Sequence, residues 1–385
     1  MLSGTSVDGL DVAVADFDLD PDGTLALRPL HATTVSWPAD LRRRVLAVLP
    51  PAPTTADELC RLDTEIGQFA GAAAAAAIAT HGGDLVVSLG QTVFHRVEHG
   101  RALGTLQLGQ PAWIVEATGL PVVSDLRARD VAAGGHGAPL ASTLDALWLR
   151  GPSPRAALNL GGIANITVVT GAGDPVVAFD TGPANCLLDV LAVRASGGAA
   201  GHDVDGALAR AGRVDDALLH RMLTEPYFAA AVPKSTGREL FTGEWLDAAV
   251  AAVHGTPDAI GVPDLAATLV ELTARTVADA CRGHGVTEVV GAGGGMHNPV
   301  LVERLAHHLA PVALRPSDEL GLPVDAKEAY LVTLLGWLTW RGLPGVVAGG
   351  TGSPVARVLG RISPGDAPLR LPEPAAAPRA LRVVA

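Results

Sequence analysis

The chain has 385 residues, enough for two domains with sizeable cores. Its 28 basic and 40 acidic residues leave a net charge of −12, which argues against binding to nucleic acid or to an anionic membrane. Three scattered cysteines without a CxxC spacing fit a reducing compartment, and the amino terminus lacks the basic and apolar regions of a signal peptide. We therefore expect a cytoplasmic protein.

A glycine-rich stretch at the start of the chain is the first candidate for chemistry. Gly4 and Gly9 permit tight turns in which backbone N–H groups converge on an anion. Asp8 and Asp11 are acceptors suited to hold the water ligands of Mg²⁺ beside a phosphate. A strand-like alternation follows instead of a helix, so the stretch is not a Walker loop. An ordinary polar hairpin turn is the alternative interpretation.

Strand and helix patterns alternate after this hairpin. Residues 55–58 form a capping box that begins a long helix. Residues 84–89 are predicted to form a buried strand, followed by a loop at 90–95, a helix at 109–119 and a strand at 120–124. This order predicts a mixed α/β layer with ligands at the strand ends.

The second half repeats the order of hairpin and then strand, which indicates a duplicated fold with a cleft between the copies. The predicted elements are strands at residues 156–160, 166–169 and 175–179, mostly helix at 189–280, a strand and glycine turn at 288–298, and an apolar helix at 326–338. The tail from residue 364 is predicted to be poorly ordered, with a possible strand at 381–384.

Four glycine-rich turns each follow an apolar strand, and together they predict a nucleotide site. Any one of them is weak evidence, because glycine turns are common. They lie at residues 4–9, 161–162, 180–185 and 293–295.

Two carboxylates are candidates for acid–base chemistry. Asp180 stands at a predicted strand end before Thr-Gly, where it suits a general base that takes a proton from a hydroxyl or from water. A turn cap is the alternative. The sequence contains no second Asp-Thr-Gly or Asp-Ser-Gly, so an aspartic-protease pair is excluded. Glu328 is a second acid at the head of the last helix, with an ordinary helix N-terminal charge as the alternative.

Cationic residues and histidines lie in several loops. Arg127 or Arg129 has the fork geometry that binds a carboxylate or phosphate, although a surface salt bridge is the alternative. The loop at residues 234–238 fixes either a domain wall or a substrate. None of the histidines in the glycine-rich loops is spaced as a metal ligand.

The chain resembles the anhydro-N-acetylmuramic acid kinases of the sugar-kinase and actin superfamily over about residues 2–342. The resemblance rests on eight blocks in order: SGTSVDGLD at 3–11, GQTVFH at 90–95, DLRARD at 125–130 with GGHGAPL at 134–140, NLGGIAN at 159–165, FDTGPAN at 179–185, PKSTGR at 233–238, GGGMHN at 293–298 and DAKEA at 325–329.

This resemblance implies an α/β fold of two ribonuclease-H-like (actin-like ATPase) domains flanking a nucleotide-binding cleft. The N-terminal domain would span residues 1–138, joined by the C-terminal helix at about 326–360. The C-terminal domain would span 139–325, and residues 364–385 would be the tail. The resemblance also implies a homodimer.

The implied reaction uses ATP and Mg²⁺. Water opens the 1,6-anhydro bond of the sugar while the freed O6 takes the γ-phosphoryl group, giving N-acetylmuramic acid 6-phosphate and ADP in peptidoglycan recycling. Asp180 would activate the water, Glu328 would assist ring opening, and Asp8 would hold Mg²⁺ through water. Implied ATP contacts are Gly4, Thr5, Ser6, Val7, Asp8, Gly9, Leu10, Asp11, Gly161, Gly162, Gly293, Gly294, Gly295 and Asn298. Implied sugar contacts are Gln91, His95, Arg127, Arg129 and Asp130, with Arg127 or Arg129 on the lactyl carboxylate.

Three departures from the family pattern affect this expectation. Family members have a short apolar strand before Ser3, so here either the start is assigned too late or the phosphate loop lacks a supporting edge. The family usually has His at Leu89 and Gln at His136, beside the expected sugar pocket. A kinase for another anhydrosugar, such as 1,6-anhydroglucose, or a catalytically silent sugar or nucleotide sensor is therefore an alternative.

Overall fold

A computed structural model describes residues 1–4, 7–98, 100–171, 174–232, 234–237, 239–347 and 349–385. The strands are β1 (Gly9–Leu19), β2 (Thr24–Ser36), β3 (Val86–Ser88), β4 (Gln91–Glu98), β5 (Arg101–Leu108), β6 (Val122–Ser124), β7 (Arg155–Leu160), β8 (Ile163–Val169), β9 (Val177–Pro183), β10 (Glu288–Ala292), β11 (Ala313–Pro316), β12 (Arg361–Ser363) and β13 (Ala380–Val383). The helices are α1 (Ala39–Ala47), α2 (Ala56–His81), α3 (Pro111–Thr118), α4 (Ala128–Ala132), α5 (Ala141–Trp148), α6 (Asn185–Ser196), α7 (Ala207–Ala211), α8 (Asp216–Leu223), α9 (Pro226–Ala229), α10 (Gly243–His254), α11 (Val262–Gly283), α12 (Pro299–Leu309) and α13 (Lys327–Trp340).

The chain divides into two compact units. The first consists of Met1–Trp148 with Ala326–Ala385, and the second of Leu149–Asp325. The division therefore falls after Trp148 and not after residue 138, because α5 is buried against α13 and β13 within the first unit. The helix at the head of the returning segment ends at Trp340, well before residue 360.

The second unit contains one five-stranded sheet in the order β11-β10-β7-β8-β9. Strands β7, β8 and β9 form an antiparallel meander, and β10 and β11 run parallel to β7 on its other side. This is the strand order of a ribonuclease-H-like domain, as the resemblance implies. Leucine, valine and alanine side chains from the sheet and from α6, α8, α10, α11 and α12 form its core.

The first unit has the same order, but its central strand is only a stub. The Met1 ammonium donates to the Val87 carbonyl at 2.8 Å, and Leu2 pairs antiparallel with Asp11. Residues 1–3 thus join β1 to β3 and give the order β2-β1-stub-β3-β6, with β13 added beside β2 and β12 beside β6. Residues 1–3 therefore provide the neighbouring strand that supports the phosphate loop.

A cavity of about 470 Å³ lies beside Met1. Its lining includes β1 residues 12–17 and residues 84–87. Burial lowers the pKa of the Met1 amino group from 8.0 to about 5, although Asp11 opposes that shift.

Several local predictions are confirmed and one is wrong. The Thr55 hydroxyl accepts the Glu58 N–H at 3.1 Å, so the capping box begins α2. Helix α3 lies within the predicted range 109–119. The expected loop at residues 90–95 is instead the start of β4, which pairs with β5. Among the described residues, no helix has the length and apolarity needed to cross a bilayer.

Candidate active site

The phosphate-loop candidate is a tight turn anchored by a buried side chain. The Gly4 carbonyl accepts hydrogen bonds from the Val7 N–H at 3.2 Å and from Gln91 Nε2 at 3.3 Å. Val7 has φ 54° although it is β-branched, and its side chain is fully buried. The left-handed backbone is strained for valine, so core packing must hold it. Thr5 and Ser6 lie outside the described residues.

An arginine clamps the far side of this turn. Arg42 Nε donates to the Val7 carbonyl at 2.7 Å, and its Nη2 lies 3.3 Å from Asp8 Oδ1. The sequence analysis missed Arg42, since nothing distinguishes it from Arg43 and Arg44 in the same helix.

The following residues fix the turn to the sheet. Gly9 must lack a side chain, because a Cβ there would lie 2.4 Å from Thr34 Cγ2. Leu10 is buried, and Asp11 Oδ1 accepts the Thr34 hydroxyl at 2.6 Å. Asp8 remains largely exposed and presents its carboxylate to solvent.

In the second unit, two predicted glycine turns lie together because β7 and β10 are parallel neighbours. The Gly161 carbonyl accepts the Asn185 N–H at 3.1 Å, which ties its turn to the start of α6. Gly293 has φ 89°, and a Cβ there would lie 2.6 Å from Asn159 Oδ1. A Cβ on Gly295 would lie 2.7 Å from Leu160 Cβ. These close approaches explain Gly293 and Gly295.

Two other predicted nucleotide contacts differ in what surrounds them. Gly294 has open space where a side chain would be, so its backbone is accessible to a ligand. The Asn298 side chain instead accepts the N–H groups of Val300 and Leu301 at 3.1 and 3.2 Å. Asn298 therefore caps α12, a structural role that the sequence analysis did not assign.

Asp180 lies on β9 beside a β-bulge. Asn165 pairs with Asp180 and Ala164 with Gly182, so Thr181 is the extra residue. A bulge redirects neighbouring side chains. Asp180 Oδ2 accepts the Thr236 N–H at 2.9 Å, and the Asp180 N–H donates to the Lys234 carbonyl at 3.2 Å.

The surroundings of Asp180 raise the pKa of its carboxyl toward neutrality. Burial raises the pKa of the carboxyl from 3.8 to about 6, with Glu239 adding to this effect and the Thr236 N–H opposing it. A carboxylate with a pKa of this kind exchanges protons efficiently at neutral pH. Such an environment suits a general base.

Glu328, in the first turn of α13, has a different charge environment. Its side chain is accessible to solvent but surrounded by protein atoms, and limited hydration raises its pKa. Lys327 and Arg127 oppose this shift, whereas Asp11 and Asp145 add to it. Lys327 Nζ lies 2.7 Å from Asp145 Oδ1, and this ion pair is almost fully buried.

Arg127 and His95 lie in the same neighbourhood as Glu328. Burial lowers the pKa of His95, and the charges of Arg127 and His136 lower it further. Arg127 Nη1 donates to the Gly137 carbonyl at 2.6 Å, while its buried Nε has no acceptor among the described residues. Arg129 is exposed on α4. The structure thus brings Arg127, but not Arg129, into a shielded position.

Two predicted sugar contacts are enclosed by protein. Asp130 is completely buried, and its two oxygens accept the Gly137 N–H at 2.7 Å and the Thr351 hydroxyl at 2.9 Å. Gln91 is also completely buried, beneath Gly4. These positions favour supporting roles for Asp130 and Gln91 over the direct contact that we predicted.

Glycine turns at strand ends and a hydrogen-bonded carboxylate with a raised pKa are the parts of an enzyme that transfers a phosphoryl group to an oxygen acceptor. Residues 1–365 match the profile of the family described as anhydro-N-acetylmuramic acid kinase. The chain belongs to this family and is a phosphotransferase.

Relatives with the same description span the whole chain. The protein from Streptomyces coelicolor is 54% identical over 390 residues, covering 100% of this chain and 98% of the relative. The protein from Rhodococcus erythropolis is 48% identical over 396 residues, with the same coverage. That from Xanthomonas campestris is 41% identical over 373 residues, covering 94% of this chain and 96% of the relative.

Proposed function

We propose that the protein adds water to 1,6-anhydro-N-acetylmuramic acid and phosphorylates the O6 atom that is released. The water oxygen bonds to C1 as the C1–O6 bond breaks, and O6 takes the γ-phosphoryl group of ATP. The products are N-acetylmuramic acid 6-phosphate and ADP, in peptidoglycan recycling. The observation that carries this proposal is the environment of Asp180 in a chain of this family.

Asp180 accepts the proton that the attacking water loses. Its Oδ2 accepts the Thr236 N–H, and Oδ1 has no hydrogen-bond donor among the described residues. A pKa of about 6 leaves the carboxylate ionised at neutral pH and still basic enough to assist proton removal. General-base assistance of this kind contributes roughly 10²- to 10⁴-fold in rate.

Glu328 and Arg127 act on the sugar in this proposal. The raised pKa of Glu328 allows it to carry a proton that assists cleavage of the anhydro bridge. In the part of the chain that the structure describes, Arg127 Nε has no hydrogen-bond acceptor, which supports this residue as the group that binds the lactyl carboxylate. His95, which is electrostatically coupled to Arg127, donates to or accepts from sugar hydroxyl groups.

ATP is bound by the glycine turns at residues 4–11, 161–162 and 293–295. Glycine at these turns allows a phosphate to approach the backbone without meeting a Cβ. Asp8 and Asp11 present hard oxygen ligands beside the first turn, which fits Mg²⁺ held through water. Mg²⁺ would neutralise charge on the transferred phosphate. Use of ATP also supports the cytoplasmic location predicted above.

The test mixes purified protein with Mg²⁺, ATP and 1,6-anhydro-N-acetylmuramic acid, with 1,6-anhydroglucose in parallel. ADP release is followed together with the mass of the sugar phosphate. We expect the water-added muramic acid phosphate, and a loss of at least about 100-fold in Asp180→Asn.

Other outcomes separate the alternatives. If anhydroglucose alone reacts, the substrate assignment is wrong. Leu89, which is apolar, and His136 then become the residues whose effect on substrate specificity is examined. Binding of sugar or nucleotide without turnover would favour a sensor. Light scattering during size-exclusion chromatography tests the homodimer that the family resemblance implies.

A further inference from the structure

The chain contains only two lysines, and the ammonium group of each interacts with other groups of the protein. Of the 28 basic residues, 26 are arginine, and the two lysines are Lys234 and Lys327. Lys327 pairs with Asp145 in the first unit. Lys234 lies half-buried in the second unit beside Asp180, in a loop for which the proposed reaction has no assigned role.

The Lys234 ammonium ties its loop to α9. Nζ donates to the Tyr227 carbonyl at 3.0 Å and to the Phe228 carbonyl at 2.9 Å, and it lies 4.7 Å from the centre of the Tyr227 ring. These carbonyls belong to the four-residue helix α9, at whose end the Tyr227 carbonyl also accepts the Ala230 N–H at 3.1 Å. A cation at this helix end is favourable in both hydrogen bonding and charge.

Helix α9 is in turn fastened to the strand that carries Asp180. The Tyr227 hydroxyl donates to the Asp180 carbonyl at 2.8 Å. A Cβ on Gly182 would lie 2.7 Å from Phe228 Cε1, so the phenylalanine ring packs directly on β9. The helix is therefore held on one side by the strand and on the other by Lys234.

These contacts form a closed cycle of hydrogen bonds that includes the backbone of Asp180. The Asp180 carbonyl accepts from Tyr227, the Tyr227 carbonyl accepts from Lys234, and the Lys234 carbonyl accepts the Asp180 N–H at 3.2 Å. The Thr236 N–H in the same loop then donates to Asp180 Oδ2. The orientation of the carboxylate consequently depends on where this loop lies.

We propose that Lys234 and Tyr227 are positioning residues for Asp180, because they fix the loop whose backbone orients its carboxylate. The proposal rests on the proposed function in treating Asp180 as the base. Neither side chain needs to touch the sugar. Glu239 and Tyr227 are the described titratable groups that act on Asp180, and the Lys234 ammonium is turned toward the carbonyls of α9.

The first experiment measures the pH dependence of kcat and of kcat/KM in three variants. Lys234→Met keeps the length of the side chain but releases the two carbonyls, and Tyr227→Phe removes only the hydroxyl. Loss of the Thr236 N–H bond would weaken the ionised form of Asp180, so the acid limb should move up by about one pH unit. We expect kcat to fall about tenfold while KM for ATP changes less than twofold. Lys234→Arg keeps donors for the carbonyls and should lie between Lys234→Met and the unmodified protein.

A matched control lies at the start of α9. Glu225 Oε2 accepts the Trp245 indole N–H at 2.9 Å, and neither group contacts Asp180. Glu225→Ala should leave the acid limb unchanged. An acid limb that stays in place in both Lys234→Met and Tyr227→Phe, or that moves equally in Glu225→Ala, would overturn the proposal.

A second measurement does not depend on turnover. The difference in unfolding free energy between a protein and its Asp180→Asn variant changes with pH until Asp180 is ionised in the folded state. This change should end near pH 6 in the unmodified background and at a higher pH in the Tyr227→Phe background. If that shift is seen but no sugar is phosphorylated, the proposed function fails and the positioning role stands. If turnover is seen without the shift, the positioning role fails.

Discussion

Asp180 and Glu328 are both carboxylates with raised pKa values, but they differ in the groups that surround them. Asp180 is held by backbone groups and a tyrosine hydroxyl, and the described charge that acts on it is another carboxylate, Glu239. Glu328 stands among two cations and two further carboxylates. The first arrangement sets a pKa by burial, so it depends on packing. Burial also raises the pKa of Glu328, but neighbouring cations oppose this shift and neighbouring carboxylates add to it, so its pKa depends on every member of the cluster as well.

The largest expected effect is a loss of stability when one charge near Glu328 is removed. Lys327→Met leaves Asp145 buried without its cation, and removing one partner of a buried pair costs about 3–5 kcal/mol. It also removes the cation that most lowers the pKa of Glu328, so that pKa should rise further. Urea unfolding measures the stability loss.

The double variant Lys327→Met, Asp145→Leu is the control for this prediction. With both charges removed, most of the lost stability should return, because no uncompensated ion remains. A double variant as unstable as Lys327→Met would show that the ion pair is not the source of the effect.

The next effect is a gain of stability when the buried carboxyl of Asp180 is replaced. Its carboxyl ionises at about 3.8 when unfolded but at about 6 when folded, so the folded state loses stability relative to the unfolded state as pH rises between these values. Asp180→Asn removes this loss and should stabilise the protein by about 3 kcal/mol above pH 6, although it abolishes the base. Urea unfolding at pH 4 and pH 8 should show the gain mainly at pH 8. An equal gain at both pH values would contradict the raised pKa.

The smallest effect concerns the phosphate loop, where a cation acts on the backbone. Arg42→Ala removes the donor to the Val7 carbonyl and the partner of Asp8. We expect KM for ATP to rise about tenfold, since the loop loses one charge-assisted hydrogen bond. Arg43→Ala is the matched control, because Arg43 pairs only with the exposed Asp40 among the described residues. Equal effects in the two variants would rule out the clamp.

The sequence was informative where a residue acts on backbone atoms close to it. Gly9 and Gly293 are required by close approaches at their turns, and Thr55 begins α2 as its capping box predicts. It was less informative where function depends on a neighbour distant along the chain. Arg42 differs from Arg43 only in facing Val7.

The same limit explains the residues whose expected role the structure changes. Asp130 and Asn298 have side chains that can bind a ligand or satisfy the protein's own N–H groups. Only the folded structure shows that both do the latter. The extent of the first unit was also hidden, because α5 is buried along its length and its polar residues Ser142, Thr143 and Asp145 do not mark an exposed face.

The primary amines of Met1, Lys234 and Lys327 can each report local opening of the protein through their reactivity. Each is engaged by a protein group: the Val87 carbonyl, the carbonyls of α9, or the Asp145 carboxylate. An acylating reagent that modifies free amines will therefore react slowly at all three sites in the folded protein. Mass spectrometry of the labelled peptides then reports, separately and in one sample, how often the sheet stub, the loop beside Asp180 and the head of α13 open.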